Sequence, residues 1–246
     1  YPSIMQAYNL CYSTILTKQD AERHFPGGAD AAYQAGPQCV DGVHHFVTAK
    51  TKRGVLPQIL ADLLAARKRA KADMKKATDP MDKAVQNGRQ LALKISANSV
   101  YGFTGAAVGQ LPCLPIASTV TAYGRTLLHR TKDFVESTYT KANGYAADAE
   151  VVYGDTDSVM VNFGFGDVAA TLPKAEVVAA EVTKIFPPPV KLEFEKVYFP
   201  YLLMNKKRYA GLLWTRPESH DYMDCKGLET VRRDNCLLVR QLIDGC

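Results

Sequence analysis

Asp155 and Asp157 stand two residues apart within Val151-Val152-Tyr153-Gly154-Asp155-Thr156-Asp157-Ser158-Val159-Met160-Val161. Carboxylates this close repel one another unless a cation offsets the charge. Two hard oxygen ligands on a turn suit Mg²⁺, which keeps much of its water and shares the rest of its shell with substrate phosphates. The chemistry such a pair offers is metal-assisted phosphoryl transfer. Alone, an Asp-x-Asp is more often a plain acidic turn, so the surrounding elements must decide.

Val151 to Tyr153 reads as a short strand and Val159 to Val161 as its partner, with Gly154-Asp155 supplying the turn. Upstream, Leu56-Pro57 opens a helix whose apolar face is Ile59, Leu60, Leu63 and Leu64, with Arg67, Lys71 and Lys75 spaced four apart on another face. Thr78-Asp79-Pro80 breaks it. A second helix is predicted from about Met81 to Tyr101, packing through Leu91, Ile95 and Val100. The two make an antiparallel helical hairpin, on which Arg67 and Lys71 would face Lys94. Lys94, Asn98 and Tyr101 fall on one stripe, and Gly102 is placed where a helix can end. A cation, an amide and an aromatic on one face suit a nucleotide: charge for phosphate, a flat surface for sugar or base.

The remaining elements are plainer. Pro2 suits a first helical turn, and Gln6 to Leu16 reads as a buried helix or strand. The Gly-, Ala- and Pro-rich run Phe25 to Val43 reads as a long surface loop, with His44 and His45 as solvated polar residues beside it. A long helix is expected from Ile116 to about Lys141, with Val120, Leu127, Leu128, Phe134 and Val135 in the core, ended by Asn143-Gly144. Pro173 to Phe186 reads as an amphipathic helix stopped by Pro187 to Pro189. Val190 to Leu203 alternates like a strand, Leu192 and Phe194 on one face and Glu193 and Glu195 on the other. Met204 to Gly211 carries a basic cluster running into Tyr209, and Lys226-Gly227 precedes Arg232-Arg233-Asp234; basic clusters interleaved with tyrosine are a nucleic-acid signature.

The 246 residues, 47% of them hydrophobic, suffice for one large domain or two small ones. A net charge of +5 is compatible with a polyanionic partner. The six cysteines (Cys11, Cys39, Cys113, Cys225, Cys236, Cys246) include no C-x-x-C pair, which argues for reduced thiols and against a zinc or iron–sulfur site within the chain. No apolar run is long enough to span a bilayer, so no membrane association is expected.

Tyr1-Pro2-Ser3-Ile4, Lys94-Ile95-Ser96-Ala97-Asn98-Ser99-Val100-Tyr101-Gly102 and Tyr153-Gly154-Asp155-Thr156-Asp157-Ser158 resemble, in order, the three polymerase motifs of family B DNA polymerases. Lys206-Lys207-Arg208-Tyr209 and Lys226-Gly227-Leu228-Glu229-Thr230-Val231-Arg232-Arg233-Asp234 resemble two downstream motifs of the same family. The resemblance implies an α+β fold, an antiparallel-sheet palm with an inserted helical-hairpin fingers subdomain. Its boundaries would be palm at 1–53, fingers at 54–107, palm at 108–215, and the palm-to-thumb junction with the start of the thumb at 216–246.

By the same resemblance Asp155 and Asp157 are catalytic and hold two Mg²⁺ ions, Asp157 the more direct ligand. Glu195 matches a glutamate near the metals, or is simply an exposed strand carboxylate. Arg67, Lys71 and Lys94 would grip the nucleoside triphosphate as the fingers close, so that closure depends on a correctly paired nucleotide. Asn98 and Tyr101 would line the nascent pair, and Tyr1 would lie under the sugar and exclude a 2′-hydroxyl. Gly102, Lys206, Lys207, Arg208, Tyr209, Lys226, Arg232 and Arg233 would contact primer–template DNA. A nuclear replication enzyme is implied, joined by a sliding clamp and accessory subunits through segments outside this chain.

The family's first motif reads Asp-x-x-Ser-Leu before its Tyr-Pro-Ser, whereas this sequence opens at Tyr1. The expectation is therefore a fragment that does not extend a primer efficiently by itself. The alternatives are a polymerase of a large DNA virus, and a non-catalytic nucleic-acid-binding form of the fold. Joint retention of Asp155, Asp157, Lys94 and Tyr101 argues against the latter. A two-metal nuclease would lack a further acidic cluster and would have no use for the cations on the helical hairpin.

Overall fold

A computed structural model describes residues 1–25 and 32–245 of the chain. It is an α+β fold whose strand pairs are all antiparallel. The chain divides into two compact units, residues 1–127 with 187–190, and residues 128–186 with those from 191 onward.

The first unit opens with helix α1 (Pro2–Ala7), with Pro2 in its first turn. Strand β1 (Ile15–Leu16), helix α2 (Lys18–His24), and strands β2 (Tyr33–Ala35) and β3 (His45–Val47) follow. The sheet order is β1-β3-β2, with Phe46 opposite both Ile15 and Gln34. This corrects the expectation of a structureless loop up to Val43. Tyr33-Gln34-Ala35 forms a strand because His45 to Val47 offers a partner that local composition does not reveal. Residues 26–31 of that predicted loop lie outside the described residues. Gln6 to Leu16 is likewise neither one helix nor one strand: α1 ends at Ala7 and β1 begins at Ile15.

Asn9 explains the break. Its φ of +53° suits asparagine far better than most residues. Its buried amide donates to the carbonyls of Val47 (2.8 Å) and Lys52 (2.9 Å), and its carbonyl accepts from Gly54 N (2.8 Å). One side chain thus fixes the end of β3 and the root of the next helix. Met5, Leu10, Phe46, Leu60, Ile116 and Val120 form the solvent-free core around it.

Helices α3 (Val55–Lys76) and α4 (Pro80–Gly105) form the expected antiparallel hairpin. Asp79 caps α4 by accepting from Asp82 N at 3.0 Å. Two expectations are corrected here. α4 runs through Gly102 to Gly105, because the capping break falls later. Its buried row is Gln90, Ala97 and Thr104, while Leu91 and Ile95 are exposed. Of this row Gln90 meets Arg67 of α3, and Thr104 O accepts from Cys113 N, so the buried side of α4 is not its most apolar one.

Helix α5 (Leu114–Thr138) contributes its first half to this unit and its second to the other. It buries Val120, Leu127 and Val135 as predicted. A short 3₁₀ turn over Lys141–Asn143 then stops at Gly144 in the left-handed region.

The second unit holds the hairpin β4 (Glu150–Asp155) and β5 (Ser158–Asn162), helix α6 (Val168–Lys184), and the sheet β6 (Val197–Asn205), β7 (Arg208–Trp214) and β8 (Tyr222–Lys226) in that order. A last helix, α7, spans Leu237–Asp244. α6 begins five residues before Pro173, because Asp167 supplies an N-cap to Ala169 N. Pro173 lies inside the helix, where it leaves the carbonyl of Ala169 without its i+4 amide donor. The predicted strand from Val190 begins only at Val197. Residues 191–196 alternate in exposure without pairing, since Leu192 bonds through both backbone groups to Thr183 Oγ1 of α6 (2.9 and 3.0 Å).

Candidate active site

The acidic pair lies in the second unit, at the tip of the β4–β5 hairpin. The register pairs Asp155 with Ser158, so the turn is Thr156-Asp157 rather than the predicted Gly154-Asp155. Gly154 instead pairs with Val159 inside the ladder. Thr156 adopts φ +53°, an outlier for a β-branched residue, and Asp157 N donates to Asp155 O at 2.5 Å across it. The Ser158 hydroxyl donates to the same carbonyl at 3.1 Å, and the Thr156 hydroxyl to Asp155 Oδ1 at 3.2 Å. This local network sets the two carboxylates on either side of one strained residue. Asp155 is half-buried and Asp157 exposed.

The β6–β7 turn lies against this hairpin. Lys207, at φ +62°, donates its backbone N–H to the Tyr153 hydroxyl at 2.9 Å and places its ammonium 3.5 Å from Asp155. Tyr153 also meets the Tyr209 ring edge-on, centroids 6.0 Å apart. The ammonium partly offsets the charge of Asp155. The donors of Asp155 and Asp157 are anionic and oxygen-only, the first partly covered and the second exposed, which fits a divalent hard cation. Glu195 is exposed on the unpaired segment before β6.

The downstream basic motifs are tied to each other. Arg208 pairs with Glu229. Asp224 is buried, accepting from Lys226 (2.6 Å), the Tyr198 hydroxyl (2.6 Å) and Lys196 (3.0 Å). Arg232 chelates Asp234 at 2.5 to 3.2 Å. Of the residues expected at DNA, Lys206, Lys207 and Arg233 are exposed, Tyr209 is partly covered, and Arg208, Lys226 and Arg232 are engaged with carboxylates. Gly102 has open space where a Cβ would stand. Asp224 and Glu229, partners in these networks, are residues that the sequence reading did not single out. Glu229 lies inside a recognised motif, whereas nothing local marks Asp224.

Burial alone would raise the Asp224 pKa, but hydrogen bonds from Lys226, Tyr198 and Lys196 outweigh it and hold the carboxyl at about 2. A depressed folded value means stability that is present above the unfolded value, about 4, and lost as pH falls through about 2. The contribution is about 2 kcal/mol. Thermal melts between pH 4 and pH 2 should therefore fall more steeply for the native chain than for Asp224→Asn, which is expected to be less stable at neutral pH with a flatter acid limb. Equal acid slopes would remove Asp224 from this account.

The predicted nucleotide residues lie in the first unit. Arg67 Nε donates to Gln90 Oε1 at 3.4 Å, which sets the register of α3 on α4. Lys71 and Lys94 are exposed, Lys94 one turn from Arg67's partner rather than opposite it. Asn98 is exposed and Tyr101 half-covered, its ring against that of Tyr1 with centroids 4.3 Å apart at 31°. Burial first, and then the neighbouring Tyr1, pushes the Tyr101 phenol pKa up.

The model of the family described as "DNA polymerase family B" matches residues 1–246. The chain belongs to that family. Over 244 residues it is 58% identical to the DNA polymerase delta catalytic subunit of Arabidopsis thaliana and 59% identical to that of Schizosaccharomyces pombe. It is 58% identical over 243 residues to the delta catalytic subunit of Candida albicans. These alignments cover 99% of this chain and 22 to 23% of each relative, so the chain spans under a quarter of the length of the curated relatives it matches. The wording of Lys206 to Tyr209 and of Lys226 to Asp234, with Asn235-Cys236, by itself resembles the delta catalytic subunit within family B, and the whole-chain identities agree with it. Family B polymerases use divalent metal ions. Among the described residues, no helix is long and apolar enough to cross a membrane.

Proposed function

We propose that this chain is the central polymerase portion of a replicative DNA-directed DNA polymerase of the delta catalytic-subunit type, acting in the nucleus on primer–template DNA and deoxynucleoside triphosphates. The observation that carries the reading is the pair Asp155 and Asp157, set on either side of a strained Thr156 within a chain matched end to end by the family B model. The subdomain reading goes with it: palm at 1–53 and 108–215, fingers at 54–107, palm-to-thumb junction from 216. A sliding clamp and accessory subunits would attach elsewhere in the longer protein.

In this reading Asp155 and Asp157 hold two Mg²⁺ ions, with Glu195 nearby. When bound, such ions lower the pKa of an attacking hydroxyl and neutralise a departing pyrophosphate. The chain's own residues bind and orient. Arg67, Lys71 and Lys94 offer charge-assisted hydrogen bonds to a triphosphate. Asn98 and Tyr101 present an amide and a flat ring to the nascent pair. Tyr1, braced by its contact with Tyr101, is a wall against a 2′-hydroxyl. Lys206, Lys207 and Tyr209 track the primer–template backbone, and Gly102 lets it approach closely. Arg208, Lys226, Arg232 and Arg233 belong to the same DNA-facing set, three of them oriented by their carboxylate partners.

The test is template-directed primer extension by the full-length protein that contains this chain. Incorporation should require Mg²⁺, stop on addition of EDTA, return with excess Mg²⁺, and follow the template base. Absence of template-directed extension under those conditions would overturn the reading.

A further inference from the structure

Between β2 and β3 the first unit carries a cluster that the polymerase reading leaves unused. Cys39, Asp41 and His44 lie on the connection between the two strands, and their ligand atoms fall within 4.8 Å of one another. The backbone here is pinned. Cys39 and Gly42 exchange hydrogen bonds (3.0 and 3.3 Å) across a tight turn with Gly42 at φ +112°, and Gly36 N donates to His44 O at 2.8 Å. The Cys39 thiol is buried and in no disulfide, 3.9 Å from the Thr119 hydroxyl of α5, which itself donates to Pro115 O at 2.6 Å.

The second observation is His44 Nε2. This ring nitrogen is shut off from solvent, and no described group makes a hydrogen bond to it in good geometry. The Asp41 carboxylate stands 3.1 Å away at ion-pair distance. A buried polar atom without an aligned partner costs stability unless a ligand satisfies it.

We infer that Cys39, Asp41 and His44 form a binding site for Zn²⁺. One thiolate, one imidazole and one carboxylate are the donor types of tetrahedral zinc, and their ligand atoms, all within 4.8 Å of one another, are near enough to close on one ion. The soft sulfur and the imidazole disfavour Mg²⁺ and Ca²⁺, which take oxygen ligands. Water completes the shell on the exposed Asp41 side. On binding, the Cys39 S–H bond breaks, sulfur keeps the electron pair for the metal, and the proton passes to solvent. The bound ion fixes residues 39–44 as a staple, with no part in nucleotide chemistry. The absence of a C-x-x-C pair, read above against zinc, does not bear on a site whose ligands are of three kinds.

The competing account is a His–Asp ion pair beside a cysteine that packs as a small apolar residue. Zinc and cobalt binding by the purified chain separates the two. After chelation and return of one equivalent of Zn²⁺, metal analysis should find one zinc per chain. Co²⁺ should give the thiolate-to-metal charge-transfer absorption of a tetrahedral site. Cys39→Ser should abolish that band while the other five cysteines remain. His44→Asn should weaken zinc binding by more than the roughly 10- to 100-fold typical of losing a mere outer partner. Asp41 is exposed, so Asp41→Asn should stay folded by circular dichroism and still bind zinc more weakly. Zinc should raise the melting temperature of the native chain and leave that of Cys39→Ser unmoved. Failure of the native chain to retain zinc, or equal retention by all three variants, would overturn the site.

Discussion

Asp157→Ala in the full-length polymerase is expected to lower kcat for primer extension by about three orders of magnitude. The side chain is exposed at the tip of the β4–β5 hairpin, and the hydrogen bonds holding that turn come from backbone and from Thr156 and Ser158, not from its carboxylate. Its removal should therefore leave the melting temperature within a degree or two, since surface substitutions of this kind change stability by roughly 0.5 kcal/mol. The KM for deoxynucleotide should move little, because Arg67, Lys71 and Lys94 are untouched, so the loss falls on kcat. Asp155→Asn is a less clean experiment, since Asp155 also pairs with Lys207. Synthesis at the native rate by Asp157→Ala would end the catalytic assignment.

Gly227→Ala is expected to be the most disruptive small substitution in the chain. Gly227 has φ +66°, and a Cβ there would stand 1.9 Å from the carbonyl oxygen of Lys207 and 3.1 Å from its carbon. Both obstacles are backbone, so no side chain can swing aside. Either β8 leaves β7, where Tyr209 pairs with Lys226, or the Lys206-Lys207 turn moves away from Tyr153. A cost of about 4 kcal/mol or more follows, which for a chain of this size lowers the melting temperature by about 8–16 °C. Primer–template affinity should fall with it if the folded fraction is held constant. Gly88→Ala is the contrast: it sits in α4 with open space where the Cβ would go, and should stabilise by about 0.5–1 kcal/mol. Calorimetry on the two variants decides; a Gly227→Ala protein as stable as the native one would contradict the close approach.

The helical hairpin was legible because Asp79-Pro80 is a strong punctuation and the flanking periodicity is long. The carboxylates, too, could be found from their spacing. Their turn could not, because Gly154 is the better turn former by type, and only the cross-strand register moves the bend to Thr156-Asp157. Leu91 and Ile95 misled for a related reason: apolar residues mark a buried stripe only when the packing partners choose that stripe, and α4 buries Gln90 and Ala97 instead, Gln90 against Arg67 of α3. Strand β2 and the late start of β6 depend on partners distant in sequence, as does the burial of Asp224. Motif resemblance located Lys226 and Arg208; it carried no sign that carboxylates restrain them.

The Arg67–Gln90 contact fixes how far each residue of the α3–α4 pair stands from its root at Gly54. α3 has 22 residues and is about 33 Å long. Arg67 and Lys71 then lie about 18 and 24 Å along it, while antiparallel register returns Tyr101 to the level of the first turn. Any rigid rotation about the root is a lever with unequal arms. A swing of about 10° carries Lys71 through an arc of about 4 Å and Tyr101 through only about 1–2 Å. The cations therefore travel while the aromatic wall shared with Tyr1 stays nearly in place. Under the proposed function, arm length alone separates the residues assigned to the triphosphate from the ring assigned to the nascent pair.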